Sequence, residues 1–434
     1  MPSDAVRPRI GRVGPFQAVV AAVLVFFPRA LAAQDSTGEE TSERSLLPRT
    51  EIDSAIAESR FRLGPVYLLP RIAITDATYD SNVYGTTEDP VADFRMTVLA
   101  GLGLILPVGK NVFLRVNAFP EYTWYAQLEE RRFFGGIYDG SVRVFANRLT
   151  LEGYGDYSKR DVLFSSEVQT RTIEEIDTVR LGAELRILPR LFIYGEGQLR
   201  QFRYSGPEGE TVTLSPTKTN RSERLVRGEV RYRWNENVRI AAGYEETRAE
   251  FDAQPEQYDN VTRSVVGDIY YDRKKLFVKV SGGYSELRPY HGSTILPFSG
   301  PTGSGSVSYK PLRPLELQAF AGRRLNFGVS SPYYISDRYG GAVVIRTGWR
   351  VSLRGFGTLG TDSYSTPVEV PDVGLVDRLD DVKEYGGSLE LFFTSRIQAR
   401  FNVTESRYNS NVPGNDRSYF RWSVSLLLGG NLLQ

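Results

Sequence analysis

The chemistry this sequence could support sits in charged side chains two residues apart. Arg227, Glu229, Arg231 and Arg233 alternate with Val226, Gly228, Val230, Tyr232 and Trp234, and Glu196, Gln198 and Arg200 alternate with Gly195, Gly197 and Leu199. Period two sends such sets to opposite faces of a strand. One face then carries guanidinium and carboxylate groups, and the other is apolar. A charged wall of this kind sets the field of an aqueous passage, or pairs across strands and only stiffens it. The candidate lining residues are Arg115, Glu184, Glu196, Arg200, Arg227, Glu229, Arg231, Arg233, Arg239, Arg354 and Arg400. Arg227, Arg231 and Arg233, with Arg200 and Arg239 beside them, form the densest basic stretch. A mild preference for anionic or sugar-like solutes is expected there. A guanidinium fork grips a carboxylate bidentately, whether it belongs to a ligand or to Glu229. Tyr154, Tyr194, Tyr270 and Phe320, on the same faces, could stack sugars or pack beside cross-strand neighbours.

Other chemistries find no residues. The chain has no cysteine, which excludes disulfides, thiolate metal sites and thiol catalysis. It has one histidine, so multi-histidine metal centres are excluded. His291 reads as a loop residue, and no serine is placed beside it on a strand. No enzyme is expected. Asp372, Asp377, Asp380 and Asp381 share one loop, but their spacing is not that of a calcium loop. Gly101-Leu102-Gly103 and Gly303-Ser304-Gly305 lack the lysine and following helix of a phosphate loop. No metal or cofactor is expected. With 53 basic and 52 acidic side chains, the chain lacks the basic excess of a nucleic-acid binder.

The elements that must carry the ladder repeat along the chain. Strand alternation runs into a tight turn, a second strand follows, and then comes a longer polar loop. Short turns are expected near residues 108–111, 146–148, 188–190, 234–237, 272–275, 311–314, 348–350 and 394–396. Long polar stretches such as 205–221, 291–302 and 363–377 separate the pairs. The count is about eighteen strands, with sixteen to eighteen acceptable. The first strand, near Val66–Tyr79, is expected to pair with the last, near Tyr419–Leu428. The fold class expected is all-β: a transmembrane antiparallel up-and-down barrel with short periplasmic turns and long extracellular loops. A ring this large could not fill its interior with aliphatic side chains, so the apolar faces must point outward. Aromatics near strand ends, such as Tyr122, Trp124, Tyr125, Tyr270, Tyr271 and Tyr284, suggest interfacial girdles. Apolar runs at 343–345 and 426–428 hide the alternation.

The N-terminus has its own pattern. Arg7, Arg9 and Arg12 precede the apolar stretch Ala18–Phe27 and the small residues Ala30 and Ala32, the layout of a secretory signal peptide. Residues 1–33 are assigned to it, 34–64 to a flexible periplasmic segment, and 65–434 to the barrel. One or two helical turns are expected near Ser54–Phe61. The expected location is the outer membrane of a Gram-negative bacterium, with outer-membrane lipid as the surrounding partner.

Arg62-Leu63-Gly64-Pro65, Pro70 and Tyr79-Asp80-Ser81-Asn82-Val83 resemble the opening of the β-barrel porin 2 family of bacterial outer-membrane proteins. The resemblance covers about twenty residues by motif; beyond them only the hairpin pattern matches. It implies an outer-membrane barrel associated with exopolysaccharide or capsule export, and an export machine as a partner. It carries over no functional residue. The chain departs from the usual aromatic ending of such barrels, closing on Asn431-Leu432-Leu433-Gln434. The function expected is a diffusion pore or export-associated channel. The alternative is a non-conducting barrel that binds a partner or surface polymer through its long loops.

Overall fold

The computed structural model describes residues 49–59, 61–84, 90–164, 167, 171–205, 216–348, 350–371, 373–394 and 397–428. The expected signal peptide, and the lead up to residue 48, lie outside them. One sheet of nineteen strands includes a three-residue spur, Phe61–Leu63; the other eighteen close into a ring. In chain order the first six are β1 Val66–Asp80, β2 Asp93–Val108, β3 Val112–Tyr125, β4 Phe133–Ala146, β5 Leu149–Leu163 and β6 Arg171–Leu188. Next come β7 Leu191–Ser205, β8 Arg221–Arg233, β9 Val238–Phe251, β10 Asn260–Arg273, β11 Leu276–Pro289 and β12 Phe298–Leu312. The last six are β13 Leu315–Phe327, β14 Tyr333–Thr347, β15 Val351–Tyr364, β16 Leu379–Thr394, β17 Ile397–Ser410 and β18 Arg417–Leu428.

Every neighbouring pair is antiparallel, and β1 pairs with β18 from Ile72↔Leu428 to Asp80↔Arg421. Below that seam the spur covers the free edge of β1, with Leu63 opposite Val66. The ring therefore leaves no long open edge, as hydrocarbon demands. Eight tight turns and both ends of the ring lie on one side; nine longer connections lie on the other. All eight expected turns are present. Strands ~4.8 Å apart and tilted ~40° close such a ring at a diameter of ~35 Å between backbones.

The period-two pattern decides which side chain faces where. On β7, Ile193 and Leu199 point out and are exposed, while Tyr194, Glu196 and Gln198 point in and are buried. The ambiguous runs resolve the same way: Val343 and Ile345 face out and Val344 faces in. Leu427 faces in between outward Leu426 and Leu428.

The outer face carries two aromatic rows. Tyr385 and Phe393, eight residues apart on β16, are both exposed outward. Eight residues at ~3.3 Å each, tilted ~40°, span ~20 Å, near the ~25 Å apolar band of membrane barrels. Tyr122, Tyr244, Tyr284, Tyr339 and Phe420 continue the loop-side row, and Tyr232, Trp234 and Tyr309 the turn-side row. Beyond the loop-side row the outer face turns ionic: Glu246 and Arg248 follow Tyr244, and Glu286 and Arg288 follow Tyr284, with ion pairs of 2.7 Å on each strand. Tyr125 and Tyr270 do not join the girdle. Tyr125 is three residues from Tyr122, an odd spacing that turns it inward, and it is fully buried. Tyr270 pairs with inward Arg239.

Glycine lets strands pass closely at points. At Gly136 on β4, φ is +142°, and an added Cβ would lie 2.5 Å from the Phe119 carbonyl of β3. Only glycine fits that approach without moving a strand.

Part of the stretch expected to be flexible is a helix, α1, Arg49–Glu58. It begins before the expected Ser54. Ile52, Ala55 and Ile56 pack on Ile105 of β2, Phe113 of β3, Phe145 of β4, and Tyr67 and Leu69 of β1. Those wall residues face inward at the turn end. An apolar patch in a polar lumen costs hydration unless covered, and α1 covers it. Among the described residues, no helix is long and apolar enough to cross a membrane.

Candidate functional site: the charged inner wall and the packed loop end

All eleven candidate lining residues lie on inward-facing positions, and most cluster toward the turn end of the barrel. A continuous ladder crosses β4 to β10. Arg143 grips Glu152 with two nitrogens, at 3.0 and 3.3 Å. Glu152 also accepts from Arg180 at 2.9 Å, and Arg180 reaches Glu196 at 3.6 Å. Tyr194 donates its hydroxyl to Glu196. Arg231 binds Glu229 at 2.7 Å and Glu184 at 2.9 Å, with its guanidinium 3.8 Å from the Tyr194 ring centre. Arg227 pairs with Glu229 and approaches Glu245 at 3.8 Å and Asp268 at 3.9 Å. The densest basic stretch is thus interleaved with acids. Like charges at this density would repel across ~5 Å between strands, and alternation removes that cost.

The remaining candidates divide. Arg200 reaches Glu223 at 3.9 Å, and Arg400 pairs with Glu390 at 2.5 Å. Arg233 and Arg239 are exposed at the turn-end rim, over the rings of Phe192 and Tyr270. Arg115 and Arg354 are half-buried, and neither has a carboxylate within salt-bridge distance among the described residues. Arg354 lies over Phe356 at 5.9 Å. The inward tyrosines do not form a bare stacking track: Tyr154, Tyr194 and Tyr270 each have a guanidinium against the ring.

His291 is in a loop, with φ +50° and Nδ1 3.5 Å from Asp259. The nearby Ser293 hydroxyl donates to the Asp259 carbonyl, so it is not aimed at the imidazole. Of the four acids expected in one loop, Asp372 lies outside the described residues, and Asp380 and Asp381 are on β16. Asp380 is buried and bound by Arg378 at 2.7 Å, which makes it an ion-pair partner. Among the described residues no cluster of acids and histidine has the arrangement of a metal site.

The loop end holds groups that alternation did not reveal. Asp80 accepts from Arg421 of β18 and from Arg171 at the start of β6, both at 3.2 Å. It also accepts from the Asn82 amide at 3.1 Å, and Val83 accepts the Arg171 amide at 3.1 Å. The Tyr79–Val83 motif therefore ties the seam of the ring to a strand five places away. Arg221 of β8 lies against Phe202, Phe251 and Phe327, on three different strands. Phe327 of β13 meets Phe251 of β9 at 5.2 Å between ring centres. Val329 packs with Phe164, Phe202 and Tyr204. Walls that are far apart around the ring touch here.

No family model matches the chain, and no curated protein matches it. Several solved structures are similar in fold. OccAB3 of Acinetobacter baumannii is 10% identical, with a TM-score of 0.49, covering 83% of this chain and 99% of that one. OprD of Pseudomonas aeruginosa is 12% identical, with a TM-score of 0.49, covering 86% and 97%. OccK2 (OpdF) of Pseudomonas aeruginosa, solved in complex with glucuronate, is 12% identical, with a TM-score of 0.48, covering 83% and 98%. Identities this low leave function to be read from the barrel's own geometry.

Proposed function

We propose that this chain is a channel of the bacterial outer membrane, with a hydrated lumen walled by paired charges. One observation carries the reading: an eighteen-strand closed ring is apolar and aromatic outside and ionic inside. A ring of that size leaves an aqueous interior, and its outer belt needs lipid. Passage needs no catalysis, and no residue is assigned a catalytic role. Small hydrophilic solutes, including anionic or sugar-like ones, suit the wall. Because every arginine of the ladder is paired with an acid, the net bias toward anions is small. It rests on Arg115, Arg233, Arg239 and Arg354, the candidate guanidiniums with no carboxylate within salt-bridge distance among the described residues. The export-associated form of this reading is supported by the resemblance at Arg62–Val83. A non-conducting structural barrel is the second reading, favoured by the packed loop end. Ion current across a planar bilayer holding the refolded chain separates them. Stepwise openings support a channel, and lasting silence from folded, inserted protein supports the structural barrel.

A further inference from the structure

The segment Gly328–Pro332, between β13 and β14, turns in over the loop end of the lumen. Its tip is held by a carboxylate from another part of the chain. Glu167, between β5 and β6, is fully buried. Its two oxygens accept the Val329 amide at 2.6 Å and the Ser330 amide at 2.8 Å. The Ser330 hydroxyl donates to the same carboxylate. An added Cβ on Gly328 would lie 2.7 Å from a Glu167 oxygen, so glycine allows the approach.

The tip has further holds, among them the Ser331 hydroxyl, which accepts the Ser365 and Thr366 amides at 3.1 Å each. Val329 packs against Phe164, Phe202 and Tyr204, and its carbonyl accepts from Tyr258 at 3.2 Å. Burial pushes the Tyr258 phenol up to about 12, so it stays a donor at ordinary pH. The Ser331 hydroxyl meets that of Ser365 at 2.7 Å, and Arg378 reaches the Ser330 hydroxyl at 3.4 Å. The Arg417 guanidinium donates to the Glu167 carbonyl.

Resting on the channel reading, we propose that this contact is a latch. The Glu167 carboxylate, seated on the Val329 and Ser330 amides, holds the Gly328–Pro332 tip across the loop end and keeps the barrel shut. Solute passes when the carboxylate leaves that cradle. The design is physical. The donors come from two backbone amides and one hydroxyl on a short segment, so one side chain gathers three of the tip's hydrogen bonds. Hydrogen bonds to a charged group are stronger than neutral ones, yet each is small enough to break thermally. Once the carboxylate is gone, what holds the tip is the packing of Val329 and mostly neutral, weaker hydrogen bonds to Tyr258, Ser365 and Thr366.

The test uses the full chain refolded in lipid, with a single reporter cysteine, because the native chain has none. Val329→Cys places a thiol in the buried tip, and Ala253→Cys, in the connection between β9 and β10, gives an exposed reference. A membrane-impermeant maleimide is expected to label position 329 slowly. Adding Glu167→Gln replaces one acceptor with a donor that faces an amide and removes the charge. Labelling at 329 should then speed up about tenfold or more, as expected for losing one charge-assisted bond. Open time in a planar bilayer should rise in parallel. Ser330→Ala, which removes only the hydroxyl donor, should give a smaller rise in open time. Retained gel mobility of the unheated barrel shows that each variant is folded. Labelling at 329 as fast as at 253 in the otherwise native chain would overturn the latch. So would unchanged labelling and current in Glu167→Gln, and if that barrel still conducts, the channel reading survives. Faster labelling with no current in any variant would support the latch and remove the channel reading.

Discussion

Glu152 is the centre of the inner ladder, and removing its charge should show whether the wall is built by pairing. Its carboxylate is buried and receives three guanidinium hydrogen bonds, at 3.0 and 3.3 Å from Arg143 and 2.9 Å from Arg180. Breaking a buried pair from one side costs ~3–5 kcal/mol, because the other charge stays behind without a partner. Here the two partners differ. Arg180 keeps Glu196 at 3.6 Å, whereas the ion-pair partner of Arg143 is Glu152. Glu152→Gln should therefore cost ~3 kcal/mol, the lower end of that range, with most of the penalty at Arg143. Adding Arg143→Met should restore ~2 kcal/mol, a coupling normal for residues in contact. Adding Arg180→Met should restore less, since it strands Glu196. The assay is urea unfolding from lipid vesicles followed by the fluorescence of the four tryptophans. A Glu152→Gln cost below ~1 kcal/mol, the ceiling for exposed pairs, would refute the reasoning, as would equal rescue by both methionines.

Further outcomes follow from the same geometry. Asp80→Asn leaves Arg171 and Arg421 without their shared acid at the seam, so the folded form should lose heat resistance, read as a lower temperature for the shift to unfolded gel mobility. Arg115→Ser and Arg354→Ser should lower anion over cation permeability, read as a shifted reversal potential, at little cost in stability. Arg227→Ser should instead cost stability, because it removes the cation that Glu229, Glu245 and Asp268 share. Ile52→Asp should undock α1 from Ile105 and Phe113, seen as faster protease cleavage within 49–58 while the barrel stays resistant.

The ring was legible in the sequence because its physics is periodic. Alternation along Val226–Trp234 or Leu191–Arg200 is decided by local spacing. Turn residues at 146–148 or 234–237 mark strand ends without long-range information. The inward set followed from the same parity, and so did the seam from β1 to β18. What was not legible depends on contacts between distant segments. Glu167 sits in a connection without periodicity, and its partners Val329 and Ser330 lie more than 160 residues away. The dock for α1 was hidden because Ile105, Phe113 and Phe145 read as ordinary strand hydrophobics. Their inward direction at the turn end appears only once register is known. Tyr125 stays out of the girdle that the cluster Tyr122, Trp124 and Tyr125 suggests, because strand parity turns it to the opposite face from Tyr122. The pairing of the basic stretch with acids was partly visible, since Glu229 interrupts Arg227 and Arg231. Glu184 joins them only through the register of β6, β7 and β8.

The central claim is that a charged, water-filled passage runs through this ring. Single-channel recording of the native chain beside Glu167→Gln, both folded and inserted in a planar bilayer, tests it most directly. The account requires stepwise currents in both, brief in the native chain and prolonged in the variant, as a wide lumen with a movable tip would give. Silence from both would contradict it and leave a closed structural barrel.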